Sequence, residues 1–206
     1  MTPLALTAIT NFMLACEVFF FAGLLFGGRS DIFSAYGFWA LSQFFLGVSA
    51  LIGGVDHGFF EPMGRDHPAR VVFQKLTWSA MGLMTFCILM TLTLQFLPQR
   101  YHTIVAVAGI LQLAVYCVLM LKTDKFLTVI LNYLPVVLLF FILNVAGLGS
   151  GTGNWWFIAG FLISFAASVL QMMKVNIFDP LNWNGLYHVM MMAAVVFLYY
   201  GGLYLQ

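Results

Sequence analysis

The chain has 206 residues, of which 63% are hydrophobic, 17% aromatic and 7% charged, with eight Lys or Arg against seven Asp or Glu. Soluble domains carry roughly 25% charged residues, so a water-soluble globular protein is excluded. The near-zero net charge also excludes the basic excess that nucleic-acid binding requires.

A helix needs about 20 mainly apolar residues to cross about 30 Å of hydrocarbon. Seven stretches meet this in chain order: 3–27, 32–58, 71–97, 101–121, 125–148, 155–174 and 183–203. The breaks carry turn or charge signals: Gly27 to Asp31 (with Ser30), Glu61 to Arg70, Pro98 to Arg100, Lys122 to Lys125, Gly149 to Asn154, and Asn176 to Asn182. No break exceeds about 13 residues, which leaves no room for a soluble domain. The expected fold is therefore all-α, a single seven-helix transmembrane domain over residues 1–206. The first stretch lacks a basic leader and is too long for a signal peptide, so it is expected to be retained.

Alternating loops place Arg65, Arg70, Lys75, Lys122, Lys125 and Lys174 on the side of the N-terminus, and Arg29 and Arg100 opposite. This asymmetry predicts a cytoplasmic N-terminus and an outer C-terminus. Tyr36, Trp39, Tyr101, Trp155, Trp156, Trp183 and Tyr199 lie near span ends, where an interfacial belt is expected. Cys16, Cys87 and Cys117 fall in different spans with no paired spacing, as packing residues would.

An ionisable group at membrane depth costs at least about 2.5–3.5 kcal/mol, so each one needs a partner or a function. Glu17 sits near the middle of the first span. Asp56 and His57 close the second, Lys75 opens the third, Lys174 closes the sixth, and His188 lies one turn into the seventh. Asp179, before Pro180, reads as the N-cap of the seventh helix, with Asn182 and Asn184 as alternatives. All but Glu17 point to the face of the N-terminus. Helical spacing pairs Ser49 with Asp56, Gly53 with His57, Lys75 with Ser79, and Asn184 with His188 beside Tyr187. This set predicts a site with Asp56, His57, Lys75, Asn184 and His188 as catalytic groups, and Ser49, Ser79, Tyr187 and Trp183 around the substrate. In a metal-free version His57 or His188 is the general base, Asp56 orients it, and Lys75 binds phosphate or an oxyanion.

His57 at the end of the second span and His188 one turn into the seventh resemble the CREST superfamily of seven-span membrane hydrolases, which includes alkaline ceramidases and progestin and adiponectin receptors. The segments 53–59 and 182–189 are also similar to an uncharacterised group of bacterial seven-span proteins. The superfamily pattern is Ser-x-x-x-His on the second span, Asp on the third and His-x-x-x-His on the seventh, around one zinc. Here Gly53 replaces the Ser, Asn184 replaces the first His of the last motif, and the third span has no acid. The resemblance implies zinc held by His57 and His188, and hydrolysis of a lipid amide or ester at the cytoplasmic leaflet. Asp56 completes the ligand set if the helix end unwinds at Gly58. It also implies a multi-pass protein of a bacterial inner membrane, acting on a membrane lipid or small amphiphile, with no nucleic-acid partner and room for homo-oligomers. Three other classes stay open: a non-catalytic seven-span sensor, a proton- or cation-coupled transporter using Glu17, and haem held between His57 and His188. A retinal protein is excluded because the seventh span has no Lys.

Overall fold

A computed structural model describes residues 2–29 and 31–205; Ser30, in the first predicted break, lies outside them. The seven helices are α1 (Pro3–Gly28), α2 (Ala35–Val55), α3 (Pro68–Phe96), α4 (His102–Lys122), α5 (Leu127–Ala146), α6 (Trp155–Met172) and α7 (Trp183–Leu203). Each is long and apolar enough, with its short flanking turns, to cross a membrane. Pro3 and Pro68 open α1 and α3 at the position where a missing N–H costs nothing.

α1, α2, α3, α5, α6 and α7 close a ring, each packed on the next and α7 on α1, while α4 lies outside against α3 and α5. At the C-terminal end of the ring Trp39, 1% exposed, donates from its indole to the Leu198 carbonyl at 3.2 Å. It meets Phe157 and Phe140 edge-on, at centroid distances of 4.7 and 5.8 Å. Trp39 and Tyr36 are therefore core residues, not members of an interfacial belt; the ring closes over them before the helix ends. Trp155 and Tyr101 are exposed, as a belt requires. Cys16 is exposed on the outer face of α1, so among the three cysteines it is not a packing residue.

Two helix ends depart from expectation. α2 does not unwind at its glycines; it widens into a π-helical turn over Asp56–Phe60 and then a 3₁₀ turn over Glu61–Met63. At the start of α7 the cap is Asn182, whose side chain accepts from the Gly185 N–H at 2.8 Å. Asp179 lies exposed before this cap and cannot serve as one, because the chain turns again before the helix begins. Asn182 Oδ1 also accepts the Thr7 hydroxyl at 2.9 Å, which ties α1 to α7. Asn182→Ala is expected to lower stability by about 1 kcal/mol, with Asn182→Asp largely restoring it, read by thermal unfolding of the purified protein.

Candidate functional site

The N-terminal end of the ring collects the polar side chains that the sequence places on α2 and α7. His57, in the π-helical turn, and His188, on α7, face each other with ring centroids 6.3 Å apart and planes inclined at 52°. Close helix packing brings them together. A methyl group on Gly53 would lie 2.9 Å from Asn11 Nδ2, so the glycine lets α1 approach α2. α1 in turn carries Thr10 to His188.

Each imidazole is held through Nδ1. Thr10 Oγ1 lies 3.0 Å from the carbonyls of Leu6 and Thr7 and 3.1 Å from His188 Nδ1. A hydroxyl has one proton. With that proton on a helix carbonyl, His188 Nδ1–H donates to Thr10 and Nε2 keeps its lone pair. His57 Nδ1 hydrogen-bonds the Glu61 carboxylate one turn on, which also leaves its Nε2 free. His188 is 6% exposed, whereas the side chains of His57 and Glu61 are 23% and 28% exposed. The pair therefore has one buried imidazole and one that is partly exposed.

Arg70, in the first turn of α3, binds this cluster. Its Nη2 lies 3.2 Å from Glu61 Oε1, and its Nε lies 3.9 Å from Asp56 Oδ2. The π-helical turn makes this double contact feasible: the Glu61 N–H bonds the Asp56 carbonyl five residues back, which stacks the two carboxylates along one side. Asp56 Oδ1, Arg70 Nε and His67 Nδ1 are buried without hydrogen-bond partners among the described residues, so this end of the bundle retains unused polar capacity.

The sequence-predicted residues divide. Asp56, His57 and His188 gather here, and Asp56 faces Arg70 instead of orienting either histidine. Lys75 lies elsewhere, donating to the carbonyls of Met120 and Thr123, pairing with Asp124 at 3.0 Å and stacking on Trp78 at 4.9 Å. It closes the C-terminal end of α4. Asn184 accepts from Gln171 Nε2 at 2.9 Å and so joins α7 to α6. Ser79 donates to the Lys75 carbonyl at 2.8 Å, and Ser49 is buried in α2. Tyr187 and Trp183 line an apolar space between α5, α6 and α7. Tyr187 also touches His188 edge-on at 5.6 Å. Glu17 stands about 10 Å along α1 from Thr10, one half-buried carboxyl whose Oε2 has no partner among the described residues. Thr10, Glu61 and Arg70 were not singled out from sequence: a threonine in an apolar helix carries no periodic signal, and the other two lie in a stretch that reads as loop.

A catalytic zinc takes three protein ligands and a water. Among the described residues no three His, Cys, Asp or Glu side chains are disposed to hold a metal. The two imidazoles thus do not fit the zinc set that the resemblance implies, and Asp56 does not complete it, because its carboxylate is turned toward Arg70. A model for a family of unknown function, DUF6962, matches residues 6–206. No curated protein and no solved structure matches the chain.

Proposed function

Because the chain belongs to the DUF6962 family, whose function is unknown, we propose its activity from its own side chains: an intramembrane hydrolase of lipid amides or esters, worked by His57 and Glu61. The observation that carries this reading is a carboxylate-held imidazole with a free Nε2, facing a second imidazole at one end of the helical bundle. His57 Nε2 takes a proton from water, and Glu61 stabilises the imidazolium formed. The hydroxide adds to the acyl carbon, the proton passes from His57 to the departing nitrogen or oxygen, and the lipid is split into acid and amine or alcohol. Arg70, which faces Glu61 beside His57, is the cation that would stabilise the developing oxyanion, in place of Lys75. His188 Nε2 accepts a hydrogen bond from the substrate and positions it.

The lysine and arginine excess at this end of the bundle supports a cytoplasmic N-terminus, which puts the site at the inner leaflet of a cell membrane. The test is release of fatty acid from fluorescent ceramide and phospholipid substrates by protein in lipid nanodiscs, with zinc measured in the same sample. Hydrolysis that survives a zinc chelator supports the reading. No release from any substrate overturns it. About one zinc per chain, lost in His57→Ala/His188→Ala, overturns the metal-free mechanism.

A further inference from the structure

Two adjoining spaces that share a wall penetrate the ring beside α7. The outer, of about 440 Å³, opens between α5 and α6, with Phe126, Val169 and Met172 exposed at its rim. The inner, of about 100 Å³, reaches the middle of the bundle between Trp39, Gln43 and Leu198. Tyr133, Phe165, Ser168 and Tyr187 belong to both walls. The outer volume lies within the roughly 300–1,000 Å³ typical of small-molecule sites, and like them it is mostly apolar with a few polar groups.

Those polar groups select a ligand. Gln43 is 3% exposed, about 12 Å along α2 from Ala35, and its Oε1 has no hydrogen-bond partner among the described residues. A buried acceptor left in this state is unfavourable unless something donates to it. Ser164 donates to the Gly160 carbonyl and Ser168 to the Ser164 carbonyl, each at 2.9 Å, and Ser168 also meets the Tyr133 hydroxyl. Tyr133 and Tyr187 bring phenolic hydroxyls, donors as well as acceptors, to the same walls, so the acceptor left unmatched at the inner end is Gln43 Oε1. Among the described residues no acid lines either space, so nothing there balances an ammonium group. Among the described residues, Lys174, exposed at the outer space, is the one charged side chain in the walls.

We propose that this chamber binds a neutral single-chain lipid alcohol, its hydroxyl donating to Gln43 in the inner space and its chain leaving between α5 and α6. The proposal does not rest on hydrolysis at His57. A fatty acid is the competing ligand, since its carboxylate would stay at Lys174 with the chain inward.

Trp39 and Trp183 line the inner and outer spaces, so their fluorescence reports entry of a bromine-labelled chain. Protein in nanodiscs is titrated with bromine-labelled hexadecanol, hexadecanoic acid and hexadecane. The expected result is saturable quenching by the alcohol, weakened roughly 5-fold by Gln43→Met. Without ligand, Gln43→Met melts at an unchanged or higher temperature, because an unpartnered amide has been removed. Ser164→Phe, which fills the inner space, abolishes saturable quenching, and His57→Ala leaves it intact. Equal binding of alcohol and alkane, tighter binding of the acid, or indifference of the alcohol to Gln43→Met overturns the proposal.

Discussion

If the proposed hydrolysis is the activity, His57→Ala is expected to lower its turnover by about 10²–10⁴-fold, the range that loss of a general base produces. The chain keeps its fold, because the His57 side chain is partly exposed and the α1–α2 contact is made by Gly53 and Asn11, not by the imidazole. Glu61→Gln is expected to cost less, since a neutral amide still accepts from Nδ1–H but no longer stabilises the imidazolium. His188→Ala is expected to raise KM more than it lowers kcat, as loss of a positioning group would. These values come from initial rates in nanodiscs, with melting temperature as the control for folding. If His57→Ala retains normal kcat while folded, the His57–Glu61 pair is not the catalytic unit.

Arg70→Met is the substitution expected to damage stability most, by about 3–5 kcal/mol. Arg70 is the cation that faces both Asp56 and Glu61, and the Asp56 side chain is 7% exposed. Without the guanidinium, a buried carboxylate is left with no countercharge. The companion Asp56→Asn removes that charge, so the double variant should recover much of the loss. A coupling energy of at least about 1 kcal/mol in this double-mutant cycle is the expected outcome. Simple additivity would mean that the 3.9 Å approach contributes little and that Arg70 acts through Glu61 alone.

The seven spans were legible because hydropathy at membrane length is a strong, local signal. The site was legible in half. His57 and His188 share a depth, and depth can be counted from the span ends. What holds each imidazole could not be counted. Thr10 lies on a neighbouring helix, and its hydroxyl equally satisfies the default of bonding its own backbone. Glu61 and Arg70 lay in an apparent loop, whereas the helical path of α2 runs on to Met63 and α3 begins at Pro68. Lys75 misled for a geometric reason. It follows Arg70 by five residues, roughly 140° around α3, so Arg70 turns to α2 while Lys75 turns to α4. Charge and depth place both at the same end; azimuth, which depends on which helices are neighbours, separates them. The Trp39 and Tyr36 error is of the same kind, since nearness to a span end says nothing about which way a ring faces.

The widened turn of α2 has one more effect. Upstream of it, the phase of the helix is fixed by packing, with Gly53 against Asn11 and Gly54 against Phe12. Downstream, the phase is fixed by charge, with Asp56 and Glu61 aligned on Arg70. A regular helix would tie these two phases together, so that any adjustment of the contact with α1 would rotate the carboxylates off their cation. The π-helical turn acts as a phase joint between them. By the fixed offset of this turn one continuous helix meets both demands, the close apolar seam with α1 and the pairing of two carboxylates with Arg70.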